Sequence, residues 1–528
     1  MGLKKEMAAM PVPREIETCF IVRRAAVFAR LPAALARLAE TVSGPAQREI
    51  EDLLLDTGDW LLAQAGAALR LRLESGRNAE LALKSLAPLS DGLAVRPELS
   101  ESLRRAPRDP SGPCPGRLIA ARVRRVLRSQ PLRVRFRLRQ RRTVYTVRTK
   151  SGALLLVSAD TVFLPGPRAR PALELEVELR EGAQGALTRF SRALTGILPL
   201  EPATLSKYDL GLRAAGLSRP PVAEPRPPAR NAGAGELLAF VLRKHAGRFR
   251  RHERRVRLDL DSEAVHDLRV ACRRLRAALQ FLGPLAGPLP ARPLANRLAR
   301  LARKLGAVRD LDLHNSALEA RAARLPPASR QSLRACVDRL RRQREQAHSR
   351  LLAALVAPRF AVCCRDLETL AERLAERPKP GKTATNARLA AQPMVRRLLR
   401  RVRRLGDELH ADTPDADLHR LRIRAKKLRY ACEFLQDIGG AAVAGFAART
   451  ARLQDALGRH QDLVVEKDLL GRLLASREGR RTPVARAALE ALLAHIAADL
   501  ETTRRNCFTA WRRFDQRRAR RALLAALR

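Results

Sequence analysis

Aromatic side chains are scarce in this sequence: they make up 3% of its 528 residues, with two Trp and three Tyr. Single-stranded nucleic acids bind largely by stacking on such rings, so that class of partner is poorly served. Acidic residues are also short. Against 103 Lys+Arg stand 54 Asp+Glu, a net charge of +49, which attracts nucleic acids, anionic membranes and polyphosphates without choosing among them. With few rings, a polyanion without bases is favoured, and nucleic acid is expected to bind only non-specifically. No apolar run approaches the ~20 residues of a membrane-spanning helix, and the opening MGLKKEMAAMPVPREIE lacks the apolar core of a secretory signal. The expectation is a cytoplasmic protein with no membrane partner. Cys19, Cys114, Cys272, Cys336, Cys363, Cys364, Cys432 and Cys507 are scattered, with no C-x-x-C and no histidine at zinc-finger spacing. They read as reduced packing residues. The G-x-G-x-x-G, Walker and G-x-S-x-G signatures are missing.

What is present falls into two parts. Hydrophobic residues at 46% suffice for globular cores, and 528 residues allow about three folding units. Residues 216–235, GLSRPPVAEPRPPARNAGAG, are a Pro/Gly/Ala-rich linker. Divided within it, residues 1–230 carry 39 basic and 23 acidic side chains and 231–528 carry 64 and 31. The second part is the stronger attractor of anions.

The first part alternates with period two, as strands do: REIE at 14–17, ALRLRLE at 68–74, ELALK at 80–84, RVRFRLR at 133–139, TVYTVR at 143–148 and LELEVEL at 173–179. In the last, Glu174, Glu176 and Glu178 project from one face and Leu173, Leu175, Val177 and Leu179 from the other. In RVRFRLR, Arg133, Arg135, Arg137 and Arg139 oppose Val134, Phe136 and Leu138. Dense like charge on one face is costly unless acidic and basic faces meet or bind something charged. A closed sheet with a polar lumen satisfies this, its apolar face turned outward under helices such as 31–40 and 185–196.

These residues resemble the CYTH, or triphosphate-tunnel, superfamily. Its opening E-x-E-x-K is similar to Glu15, Glu17 and Cys19, with a cysteine where lysine is expected. Asp56-Thr57, Ala68 to Arg72, Leu83-Lys84, Asp160, Glu174 to Gly182 and Ser206-Lys207 match its later motifs in order. The resemblance covers 12–215 and implies an eight-stranded antiparallel tunnel that holds a triphosphate with divalent metal. It implies Arg70, Arg72, Lys84, Arg137, Arg139 and Lys207 as phosphate clamps. Glu15, Glu17, Glu174 and Glu176 are implied ligands for Mg²⁺ or Mn²⁺, with Glu15, Glu17 and Asp160 as catalytic residues. The lysine missing at Cys19 is expected to slow turnover, with Arg23 or Arg24 as its nearest replacements.

From about residue 236 the period becomes helical and the sequence repeats itself. His266, Arg269, Arg273, Arg274 and Arg276 align without gaps on His419, Arg422, Lys426, Lys427 and Arg429, at an offset of 153. Leu301 to Asp310 aligns on Leu453 to Asp462 at an offset of 152, placing Arg309 opposite Gln461. On a helix His266, Arg269, Arg273 and Arg276 span an arc of roughly 80°, with Leu268, Ala271, Leu275 and Leu282 behind them. The second copy is backed by Leu421, Leu428 and Leu435. Stripes this poor in acids suggest one shared anion-binding surface. The motifs H-x-x-R-V-x-x-R-R-L-R, L-G-x-x-R-D and L-H-x-L-R-I-x-x-K-K-L-R-Y-x-x-E resemble the CHAD domain, an all-helical tandem repeat associated with inorganic polyphosphate.

The resulting expectation is an α+β multidomain chain. It has an N-terminal eight-stranded antiparallel β tunnel with flanking helices (12–215) and a C-terminal all-α tandem-repeat helical bundle (236–520, with copies at about 236–375 and 386–520). It binds inorganic polyphosphate, with a metal-dependent tunnel for tripolyphosphate or another triphosphate, in the cytoplasm at polyphosphate granules. The alternative is a catalytically inactive polyanion or nucleic-acid-binding protein.

Overall fold

The computed structural model describes residues 12–74, 78–127, 129–166, 169–220, 224–376, 386–410 and 412–528. They form two compact units, Met10–Val222 with Arg251–Ala264, and Ala223–Arg250 with Val265–Arg528. Part of the expected linker, 221–223, lies outside the described residues, and helix resumes at Ala234.

In the first unit the strands are β1 (Arg14–Val22), β2 (Ala39–Asp56), β3 (Ala67–Glu74), β4 (Asn78–Ser85), β5 (Leu93–Leu103), β6 (Arg133–Thr149), β7 (Leu154–Phe163), β8 (Ala172–Glu181) and β9 (Leu200–Pro202). They pair in the order β5-β4-β3-β2-β6-β7-β8-β1, and β1 also pairs with β5. The result is a closed antiparallel barrel of eight strands, with β9 appended to β1. Closure leaves no free edge, so every strand must place one face inside. Alternation then divides core from lumen.

The outward Leu175 and Val177 of β8 are buried with Leu31 and Leu35 of α1 (Ala26–Leu38) and with Leu187 and Leu194 of α4 (Gln184–Thr195). These are the helices expected near 31–40 and 185–196. Elsewhere on the barrel, Leu69, Leu71, Leu81 and Leu83 pack under Ile119 and Val123 of α3 (Leu118–Leu127). Leu258 and Leu260 join that cluster, which is why residues 251–264 belong to this unit although the sequence assigns them to the helical half. Two short helices complete it: α2 (Leu61–Gln64) and α5 (Lys207–Ala214).

The second unit is helical throughout its described residues: α6 (Ala234–Leu258, counted here to Arg250), α7 (Glu263–Phe281), α8 (Ala291–Ala322), α9 (Pro327–Ser332), α10 (Arg334–Val356), α11 (Pro358–Glu376), α12 (Ala387–Asp407), α13 (Asp415–Leu474), α14 (Pro483–Phe514) and α15 (Arg517–Ala526). The duplication is visible in the fold. α7 and α8, separated by a loop and a single 3₁₀ turn, correspond to the two parts of the 60-residue α13, which meet at Gly440 with φ +71°. Only glycine adopts that conformation without strain. Leu268, Leu275 and Leu282 of the first copy and Leu421, Leu428 and Leu435 of the second are buried, as the apolar stripes predict.

Candidate functional site

The barrel lumen is a cavity of about 910 Å³. Glu15, Glu17 and Cys19 of β1 and Glu174, Glu176 and Glu178 of the neighbouring β8 make one wall acidic. Arg70 and Arg72 of β3, Lys84 of β4 and Arg142 of β6 reach in from other strands, and Lys207 enters from the first turn of α5, which Ser206 caps. Lys84 Nζ pairs with Glu15, lies 3.1 Å from Glu17 Oε1 and 3.7 Å from Glu98. Lys207 Nζ stands 2.5 Å from Asp160 Oδ2, 2.7 Å from Glu176 Oε1 and 3.7 Å from Glu174. Arg72 donates two hydrogen bonds, of 2.8 and 2.9 Å, to Asp52. Arg70 lies 3.4 Å from Glu98 and 3.6 Å from Glu80.

In the helical unit a second group of cations converges. Burial, followed by Arg273, Arg422, Arg269 and Arg276, pushes the Lys426 ammonium down to about 8. Burial and then Arg273 likewise hold the Arg269 guanidinium below its ordinary value. Arg273 sits 5.7 Å over the Tyr430 ring, and among the described residues the buried Nε atoms of Arg273 and Arg422 have no hydrogen-bond partner. Both copies therefore contribute to one electropositive surface. Other predicted members are held differently. Arg274 and Arg429 share Glu433, at 3.1 and 2.7 Å. His419 Nδ1 lies 2.6 Å from Gln461 Oε1, so the uncharged counterpart of Arg309 holds that ring. Arg309 and Arg422 both act on Asp462. His266 is half-buried on α7, and Lys427 is solvent-exposed and stands outside the group.

The CYTH domain model matches residues 13–205, and the CHAD domain model matches 240–471. The chain carries a CYTH domain and a CHAD domain. Two uncharacterized proteins of Mycobacterium tuberculosis are 30% identical over 224 residues, 41% of this chain. The match spans 42% of the length of each relative. Among solved structures, a CHAD domain from the plant Ricinus communis is 27% identical, covering 54% of this chain and 96% of its own, with a TM-score of 0.43. A Hippeastrum protein described as having a dominant triphosphatase activity is 20% identical over 39% of this chain and 98% of its own, with a TM-score of 0.27. The mimivirus capping enzyme triphosphatase is 12% identical over 35% and 89%, with a TM-score of 0.22.

Two of the expected clamps of the CYTH domain are corrected. Arg137 and Arg139 point outward, with side chains 59% and 79% exposed and lying 3.6 and 3.8 Å from Glu51. The inward face of β6 at that point is apolar. Phe136 and Leu138 are buried with Leu54, Trp60 and Leu212 beneath α5, and a Cβ on Gly211 would fall 2.5 Å from the Phe136 ring. Helix packing sets the parity of the strand and expels its arginines. The same parity turns Arg142 inward, a residue the sequence reading passed over; it binds Asp160 at 2.7 and 2.6 Å and Glu176 at 2.6 Å. Arg96 and Asp52 also line the lumen unforeseen, whereas Glu178 faces it as the alternation of β8 predicts. Arg23 does not replace the missing lysine: it is exposed and 2.7 Å from Glu201, and Arg24 is exposed too. Asp56 with Thr57 is structural. The Asp56 carboxylate accepts from the Thr57, Leu62 and Ala63 amides at 2.7 to 2.9 Å and caps α2.

Asp160 is an expected catalytic residue. Its side chain is fully buried, and both oxygens are taken by Arg142 and Lys207. It positions two cations. The acidic wall, by contrast, has the chemistry of a cation site. Ligand atoms of Glu17, Cys19 and Glu176 all lie within 4.8 Å of one another, and Glu174, 3% exposed, has an Oε1 without a hydrogen-bond partner among the described residues. The carboxylate oxygens of Glu17, Glu174 and Glu176 suit a divalent cation.

Crowding shows in the titration of these groups. Burial raises Glu15 and Glu17 despite Lys84. Burial also opposes ionisation of Glu176, but Lys207 and Arg142 hold it well below the usual carboxylate range. Asp52, buried too, is kept at about 2 by Arg72 and Arg70. Glu174 is pushed up to about 7 by burial, with Glu176 and Asp160 outweighing part of the pull of Lys207. Because its folded value lies above its unfolded one, the contribution of Glu174 to the stability of the metal-free protein is lost as pH rises from about 4.5 to about 7. Glu174→Gln removes that cost. The variant is expected to be more stable than wild type at pH 8, by up to about 3 kcal/mol, and little changed at pH 4. Urea titrations at the two pH values check it; equal gains at both would show that ionisation is not the cause.

Proposed function

We propose that the CYTH domain binds and hydrolyses tripolyphosphate or a related triphosphate with Mg²⁺ or Mn²⁺, and that the CHAD domain holds inorganic polyphosphate. The observation that carries the first half is the division of one lumen into an acidic wall on β1 and β8 and cations reaching in from β3, β4, β6 and α5. A triphosphate carries about four charges that guanidinium forks and ammonium groups can match, whereas the carboxylates would repel it. Glu15, Glu17, Glu174 and Glu176 would hold the cation. When bound, it would polarise a phosphoryl oxygen and orient water. Arg70, Arg72 and Lys84 would then exchange their carboxylate partners for phosphate oxygens, and Lys207 would exchange Glu176 for one while Asp160 keeps it and Arg142 in place. The neutral thiol at Cys19 favours a second reading, a tunnel that binds triphosphate with slow turnover.

The CHAD half of the proposal is supported by the mutual repulsion of Arg269, Arg273, Arg422 and Lys426, which a polyphosphate chain would relieve. Eight cysteines scattered along the sequence suit the reducing cytoplasm, where we place the protein, at polyphosphate granules.

The test is phosphate release from tripolyphosphate by the full chain. Release is expected to require Mg²⁺ or Mn²⁺ and to fall at least about a hundredfold in Glu15→Ala/Glu17→Ala. Metal-free activity, or activity retained by the double variant, would refute the assignment. Metal-dependent binding without release would select the second reading.

A further inference from the structure

Cys19 is chemically out of place in an oxygen-lined wall. It lies opposite Glu176 in the β1–β8 register and two residues from Glu17 on the same face of β1. Its side chain is buried, 7% exposed, and turned into the lumen. We propose that Glu17, Cys19 and Glu176 form a three-ligand site, sulfur included, for a borderline-soft divalent cation of the Zn²⁺ class, with Glu174 completing it. This rests on reading the lumen as a metal-dependent site and goes further by naming a thiolate ligand and the class of cation it selects.

The ligand atoms of the three residues lie within 4.8 Å of one another. Around a tetrahedral Zn²⁺ such atoms stand roughly 3.5 Å apart, so small side-chain rotations would close the site. An independent sign is the orphaned Glu174 Oε1, on a side chain 3% exposed and lining the same cavity. Outer hydrogen bonds already orient two ligands, Lys84 on Glu17 at 3.1 Å and Lys207 on Glu176 at 2.7 Å. On binding, the Cys19 S–H bond breaks, its proton leaves to solvent, and a sulfur–metal bond forms with no change in oxidation state. Mg²⁺ gains nothing from sulfur, whereas Zn²⁺ and Co²⁺ do. The cysteine therefore discriminates between cations.

The experiment titrates the full chain with Co²⁺, which reports its ligands without any catalysis. A sulfur-to-cobalt charge-transfer band in the near ultraviolet is expected, displaced by Zn²⁺ and not by Mg²⁺. Cys19→Ser should lose the band and bind Co²⁺ roughly tenfold or more weakly, while circular dichroism confirms that it is folded. Glu17→Gln should weaken binding by a similar factor and keep the band at saturating Co²⁺. If wild type and Cys19→Ser bind Co²⁺ with the same spectrum, sulfur is not a ligand: this inference falls and the carboxylate reading stands. If neither Co²⁺, Mn²⁺ nor Mg²⁺ binds wild type, both fall.

Discussion

Arg142→Ala is expected to destabilise the barrel by about 3–5 kcal/mol, because truncating one partner of a buried ion network strands the other charges. Arg142 donates to both oxygens of Asp160, whose side chain is fully buried, and to Glu176 at 2.6 Å. Without it Lys207 alone faces two carboxylates, and Glu174 stands nearby with little compensation. The loss should appear as a fall of more than about a hundredfold in amide exchange protection along β6, β7 and β8. Tripolyphosphate affinity should fall with it. Arg139→Ala is the matched control on the same strand: its side chain is 79% exposed and 3.8 Å from Glu51, so a change within about 0.5 kcal/mol is expected. Equal effects of the two variants would contradict the inward and outward assignment of β6.

Arg273→Glu/Arg422→Glu is expected to weaken binding of long polyphosphate at least about a hundredfold, since a hydrogen bond to a charged group contributes roughly 1.5–3 kcal/mol and two are removed. Its salt dependence should also become shallower, as fewer counterions are released. The loss should not reflect unfolding. Both arginines press on Lys426, so replacing them relieves repulsion, and the melting temperature of the helical unit should hold or rise. Lys427→Ala, at an exposed position outside the group, should leave affinity nearly unchanged. Fluorescence titration with labelled polyphosphate at several salt concentrations decides it. A uniform loss across all three substitutions, or failure of polyphosphate to displace RNA at physiological salt, would favour non-specific polyanion binding.

Some of this site is legible along the chain. Glu174, Glu176 and Glu178 alternate with Leu173, Leu175 and Val177, and apolar residues on that strand have helices to pack against, so the acids must face the lumen. The duplication of His266 to Arg276 in His419 to Arg429 likewise announces two equivalent helices with one charged and one buried face. What alternation cannot tell is which face of a strand is inside. In RVRFRLR both parities are consistent with the pattern, and the arginines were assigned to the wrong one. Asp52 was passed over for a related reason: its partners Arg72, Arg70 and Gln140 lie on other strands, and Arg96 stands next to Pro97, a residue that local pattern does not favour inside a strand.

The sequence by itself therefore determined the two modules, their order, the acidic strand and the paired cationic stripes, because these depend on local period and repetition. Tertiary structure alone decided that Arg142 rather than Arg137 or Arg139 enters the lumen, because Phe136 and Leu138 must pack beneath α5 at Gly211. It also decided that Cys19 meets Glu17 and Glu176, because barrel closure sets β1 against β8 in a single register.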